Sequence, residues 1–366
     1  MIKIKTPEFY INEPDILKSS GEEIKKFGKK ALIIGGKTAL NVIGNEFFKS
    51  IEDANVEFEI EEFIGYPSEN NIEKFLVQLK NINADIIIGI GGGKVLDLVK
   101  AIGERSGVIV ITVPTIAATC AAWSALTIIY DDDGHYVSNM KLNNSPQLVL
   151  ADTKILAEAP IRYLKAGIGD TIAKWYETYP YKFKHGNDIT LKISMKISEL
   201  ALEMLEENSL RLVNETNLDY KSKYIDEVLD SIIMLAGLAG SIKGENVRPN
   251  LAHRIHNALT VIDDTHETIH GEKVSFGLIV QFILEEKPEK ELENIVEFFN
   301  KLDLPITLQQ LGIKTNVNEK IHLLCKKINI KKEYLEKLNF IVNKERIEEA
   351  IFKADELGNK ILEKYL

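Results

Sequence analysis

Cysteine is scarce: Cys120 and Cys325 are the only two in 366 residues, and no CxxC occurs. That leaves no disulfide framework and fits a reducing cytoplasm. Basic runs are missing as well. With a formal net charge of -10, the chain is expected to bind neither nucleic acid nor an anionic membrane. The opening segment MIKIKTPEFYINEP lacks the apolar core of a secretory signal. One stretch lacks charge altogether, between Arg105 and Asp131, and it is long enough to cross a bilayer. Pro114 in its middle and its repeated threonines argue for a buried strand from Val108 to Val113, a loop and a further strand. There is no fixed-period repeat and no low-complexity tract. No Ser or Cys nucleophile with an evident base stands out, and the usual GxGxxG fingerprint is also missing.

What is present has an order. A hydrophobic content of 45% and a charged content of 27% are ordinary for a globular protein, and the length suggests two domains. In the first part, β-branched runs (KKALIIGG, DIIIGIGGG, GVIVITVPT) alternate with stretches of helical spacing (KTALNVIGNEFFKSIEDA, PSENNIEKFLVQLKNINA, KVLDLVKAIGE). That alternation predicts a parallel sheet with helices on both faces, an α/β domain over 1–155. From 156 to 366 the periodicity is helical almost throughout, which predicts an all-α second domain.

Two sets of residues carry chemistry. The first is Gly91, Gly92 and Gly93 at the carboxyl end of a buried strand. Glycine permits positive φ, and its missing Cβ lets a phosphate approach the backbone at a helix N-terminus. A purely structural tight turn would look the same. Asp97 and Lys100 follow at helical spacing, and the next strand runs into a TVPTIAAT loop. The second set lies in the helical half: Asp170 in AGIGDTIAKWYE, His253 and His256 in NLAHRIHNALT, and His266 and His270 in HETIHGEKVSFG. Of seven histidines, four fall between 253 and 270. A carboxylate and two imidazoles suit zinc or ferrous iron. Read from the residues alone, capping or interhelical hydrogen bonds explain these histidines equally well.

The glycine triplet, the Asp and Lys within one helix, the PT loop and the three helical segments together resemble the glycerol dehydrogenases and iron-containing alcohol dehydrogenases. The resemblance covers nearly the whole chain. It implies a Rossmann-like N-terminal domain and a metal-binding helical domain, the dehydroquinate synthase-like fold. By the same likeness, Asp170, His253 and His270 are the metal ligands. His256, not a ligand in that family, either relays a proton or only supports the site, while His266 is a loop residue. Gly91, Gly92, Gly93 and Lys94 would surround a pyrophosphate, with Asp97 towards the nicotinamide. Thr115 and Thr119 would contact phosphate or ribose, and Leu126 and Ile128 would line the nicotinamide pocket. The implied reaction is hydride transfer between NAD or NADP and a small alcohol, polyol or 2-hydroxy acid, with a divalent metal as Lewis acid. Self-association into a homo-oligomer is implied as well.

Three departures from the family pattern bear on specificity. Gly36 stands where many relatives carry an Asp that binds the adenine ribose, so weak NAD preference or use of NADPH is expected. Cys120, with Trp123 close by, replaces an Asp beside the glycerol site, which puts glycerol in doubt. Lys174 occupies the position of an additional histidine in the iron-containing branch, which favours zinc. It either pairs with a substrate carboxylate or forms an ion pair with Glu177. These features resemble a hydroxycarboxylate-reducing branch. Two other classes compete: a sugar-phosphate cyclase of the dehydroquinate synthase type, for which Lys174, Arg254 and Lys273 lie near the ligands, and a non-catalytic dinucleotide sensor.

Overall fold

The strand Ile86–Gly91 is buried along its whole length, and its side chains alternate between two cores. Ile86, Ile88 and Ile90 join Ile33, Phe47, Ile51 and Ile111 on one face. Ile87 joins Leu32, Phe75, Leu79, Leu98 and Val99 on the other. A strand covered on both faces has no polar side, which is why this one holds only isoleucine and glycine.

In the computed structural model, which describes residues 2–214, 218, 220–243, 250–328, 330 and 332–365, this strand is β4. The other strands longer than two residues are β1 Phe9–Glu13, β2 Lys30–Gly35, β3 Glu57–Glu62, β5 Ile109–Pro114, β6 Leu126–Tyr130, β7 Tyr136–Lys141 and β8 Leu148–Asp152. Six of them form one parallel sheet in the order β1-β8-β5-β4-β2-β3. The pair β6 and β7 makes a separate antiparallel hairpin. Because β3 lies outside β2 and β4 returns to its other side, the carboxyl ends of β2 and β4 are neighbours, with Gly35 aligned to Ile90. The chain reverses its winding at that point, which is where open α/β sheets bind ligands. Gly36 and Gly91–Gly93 both reach this edge.

The expected run of helix after β2 is broken in two, α1 Lys37–Val42 and α2 Gly44–Asp53, at Gly44 with φ of +73°. Helix α3, Glu69–Ile82, starts where the Ser68 hydroxyl accepts from Asn71 N. Helix α4, Gly93–Ser106, follows the glycine turn directly. The charge-free stretch forms β5, a loop and β6, as expected. Among the described residues no helix is long and apolar enough to cross a membrane.

By packing, residues 3–164 and 215–241 form one compact unit, and residues 165–214 and 242–366 a second. The sheet and its helices make up the first. The chain returns to it at 215–241, so a single cut at residue 155 does not describe this packing. Helix α7, Lys223–Asp230, is tied to the edge strand: Tyr10 and Asn12 of β1 donate to Asp230 Oδ1 at 2.7 and 2.9 Å. The second unit contains most of α5 Ile161–Thr178, then α6 Ile189–Val213, α8 Leu251–Leu259, α9 His270–Leu284 and α10 Lys344–Glu363. Residues Gly271 to Phe282 of α9 are all buried, among them the polar Glu272, Lys273, Ser275 and Gln281.

Candidate active site

Three helices of the second unit bring three metal-capable side chains to one point. Asp170 projects from α5, His253 from the first turn of α8, and His270 is the first residue of α9. One ligand atom from each lies within 4.8 Å of the others. His253 Nε2 is 3.0 Å, and His270 Nε2 3.3 Å, from the same oxygen, Asp170 Oδ1. Lys174, one turn along α5, is 3.6 Å from Asp170 Oδ2.

The residues behind these donors fix their direction. Glu177 accepts from His253 N at 3.0 Å and meets His253 Nδ1 at 2.8 Å. A carboxylate only accepts, so Nδ1 carries a proton and Nε2 is the atom turned towards Asp170. Behind His270 stands His256, whose Nε2 is 3.0 Å from His270 Nδ1 and whose Nδ1 is 2.9 Å from Asn257 Oδ1. With the amide oxygen accepting from His256 Nδ1–H, His256 Nε2 accepts from His270 Nδ1–H, and His270 Nε2 is left as a free donor atom. Two imidazole Nε2 atoms and a carboxylate oxygen thus face one another, and this donor set suits zinc or ferrous iron.

The electrostatics agree. Burial alone would raise the Asp170 pKa, but Lys174 and the two histidines outweigh it and hold the carboxyl well below its usual range. Burial would lower His253; Glu177 and Asp170 outweigh that and bring it to about 9. His256 is pushed well below an ordinary imidazole by burial, then by His270, Lys273 and His253.

Local sequence sets this geometry. The Glu272 carboxylate accepts from Ile269 N at 2.8 Å, which starts α9 at His270. Gly271 allows α9 to rest on α5, since a Cβ there would stand 1.9 Å from Ala166 O. Asn257 and Glu272 were not picked out from sequence, and Glu177 only as a partner for Lys174, not as the residue behind His253. Their only signal is helical register: Glu177 is two turns from Asp170, and Glu272 sits three residues past the helix boundary. Of the remaining sequence candidates, both Glu177 oxygens face His253, and Lys174 stands by Asp170. His266 lies in a turn, 4.0 Å from Asp263.

The first unit holds the glycine turn. Gly91 has φ of +152°, and Gly92 precedes α4 with no side-chain cap. Thr115 N donates to Gly91 O at 3.2 Å. Thr119 Oγ1 lies 3.8 Å from where a Gly93 Cβ would stand. The turn and the PT loop therefore share one edge. Asp97 and Lys100 form a buried ion pair at 2.9 Å. Lys100 also donates to Leu126 O at 2.5 Å and Ser124 Oγ at 3.1 Å, which ties β6 to α4. Nothing lies within 4 Å of a Cβ built on Gly36, so packing does not require glycine there. Cys120 is half-buried and forms no disulfide. Trp123 is buried with its ring edge-on to Tyr10 at 5.5 Å and against Gly237, so its bulk fills the interior of the unit.

A parallel sheet with a glycine turn, joined in one chain to a buried carboxylate–histidine centre, is the architecture of a metal-containing alcohol oxidoreductase. Comparison with known proteins specifies it. Residues 7–153 match the model of the iron-containing alcohol dehydrogenase family. The chain is 32% identical to a glycerol dehydrogenase of Escherichia coli O6:H1 over 366 residues, covering 99% of each. It is 32% identical to hydroxycarboxylate dehydrogenase A of Escherichia coli K12 over 255 residues, 69% of this chain and 70% of that one. The crystal structure of glycerol dehydrogenase from Schizosaccharomyces pombe superposes with a TM-score of 0.86 at 26% identity, covering 99% of this chain and 92% of that one. The chain belongs to the iron-containing alcohol dehydrogenase family, in its glycerol dehydrogenase-like branch, and is a dehydrogenase acting on an alcohol.

Proposed function

We propose that this dehydrogenase uses a nicotinamide dinucleotide, NAD or NADP, with one divalent ion, zinc in preference to iron, held by Asp170, His253 and His270. The reading rests above all on those three side chains meeting from three helices with both imidazole Nε2 atoms turned to the Asp170 carboxylate. When bound, the ion supplies Lewis acidity to a substrate oxygen, and the nicotinamide gives or takes the hydride. The chain's own part is positional. Glu177 and His256 hold the two imidazoles in the tautomers that ligands need. Gly91–Gly93 and Lys94 receive the pyrophosphate, Asp97, Thr115 and Thr119 border it, and Leu126 contributes to the nicotinamide side. Open space at Gly36 supports tolerance of a 2′-phosphate.

The substrate is a small polyol or 2-hydroxy acid and its carbonyl partner. Lys174 at 3.6 Å from Asp170 supports a carboxylate-bearing substrate, and Cys120 replaces a polar side chain at the polyol position. The absence of a disulfide between the two cysteines fits a cytoplasmic protein, and the homo-oligomeric state is checked by light scattering. The deciding experiment is an initial-rate matrix: zinc- or iron-loaded protein, NADH or NADPH, against dihydroxyacetone and short 2-oxo acids. Fast turnover of a 2-oxo acid with either nucleotide supports the carboxylate reading, and turnover of dihydroxyacetone alone rejects it. Activity that survives exhaustive chelation overturns the metal assignment.

A further inference from the structure

Lys94 follows the glycine turn directly, and its ammonium stands 3.8 Å from the centroid of the Tyr66 ring. Among the described residues no carboxylate pairs with it. Two turns further along α4, Lys100 presents the opposite case, neutralised by Asp97 at 2.9 Å. The ring attracts an ammonium through its quadrupole without cancelling the charge.

Tyr66 is itself held firmly. Its carbonyl accepts from Ser68 N at 2.7 Å and from Asn71 Nδ2 at 2.9 Å. Its ring packs on Tyr130 at 5.7 Å and against Gly134, where a Cβ would stand 2.3 Å from the ring Cζ. Asp132, two residues before Gly134, accepts from Ser68 Oγ and Asn70 Nδ2. The tip of the β6–β7 hairpin is thereby fastened to the loop that carries Tyr66.

We infer that Tyr66 is a positioning residue that holds the Lys94 ammonium, still fully charged, for the pyrophosphate of a dinucleotide at Gly91–Gly93. The inference rests on the dinucleotide reading above. A lysine fixed before binding loses less side-chain freedom when the phosphate arrives, and an un-neutralised one offers it full charge.

The test is a fluorescence titration of NADH and NADPH into full-length, metal-loaded protein. Residue 66 is replaced by phenylalanine and then by its mono-, di- and trifluorinated forms. Fluorination weakens the ring quadrupole while nearly preserving shape, so the fold is retained. The dissociation constant is expected to rise stepwise, by about three- to tenfold across the series. In a Lys94→Met background the same series is expected to be flat. A flat series with Lys94 present, or an equal slope without it, overturns the inference. If the unsubstituted protein binds neither nucleotide, the dinucleotide reading itself fails and takes this inference with it. Binding by the unsubstituted protein with a flat series rejects Tyr66 alone.

Discussion

The two candidate binding regions are built from opposite materials. The turn at Gly91–Gly93 is backbone without side chains, and its surroundings are apolar strands. The centre at Asp170 is side chain: ionisable groups buried at a helix junction, each held by another polar group. A backbone site tolerates changes nearby provided that the turn can form. A buried polar site fails when one member of its network is lost, because the remaining members are left without partners.

Substitutions at the two regions should separate them, and the largest effect is expected at the centre. Asp170→Asn removes the ligand charge. Metal affinity and turnover are expected to fall by more than about 100-fold, read by metal content after dialysis and by initial rate. NADH titration of the same variant sharpens the contrast, because the turn lies in the other unit; loss of dinucleotide binding there would break it. Next comes Glu177→Gln, which keeps the shape but no longer requires a proton on His253 Nδ1. Metal affinity is expected to fall about 10- to 100-fold, and an unchanged affinity would show that Glu177 does not orient the ligand. At the turn, Gly36→Asp is expected to shift the ratio of kcat/KM for NADPH over NADH by about tenfold towards NADH. No shift would mean that this edge does not hold the ribose. Lys174→Ala is expected to raise KM for 2-oxo acids several-fold, about 1 kcal/mol of a partly exposed charge contact, and to leave dihydroxyacetone unaffected.

The smallest effect concerns a group outside both regions. Burial pushes the Glu285 carboxyl up to about 7, against the hydrogen bond from Gln281 and the nearby Lys287, which lower it. The folded pKa exceeds the unfolded value of 4.5, so the native state binds this proton more tightly. The resulting stability is present at low pH and is lost as pH rises from about 4.5 through about 7. Glu285→Gln is expected to raise stability at pH 8 by on the order of 2 kcal/mol, a few degrees in melting temperature, and to change little near pH 4.5. Equal shifts at both pH values would refute the buried-acid account.

Much of this was legible before any coordinates. An isoleucine-rich run with no polar residue before three glycines located β4 and its turn, since a strand with two buried faces is written that way. Asp170, His253 and His270 could be named because the chain resembles a family whose motifs it retains; spacing alone left them open to structural readings. Other features were hidden for physical reasons. Glu177 and Asn257 act through hydrogen bonds to histidines, and neither makes a motif. Helix α7 carries no mark of the strand it covers, because the bonds to Tyr10 and Asn12 join residues more than 200 positions apart. Gly44 was visible, but helical spacing on both sides concealed the break.

One feature of the centre reaches beyond catalysis. At Gly271, α9 rests on the backbone of α5 with room for a hydrogen and nothing more. The two helices that carry His270 and Asp170 therefore cannot close further, and their separation is set by main chain, not by compressible side chains. The missing methyl group one residue from His270 thus sets the shortest distance to which the two donors can be brought.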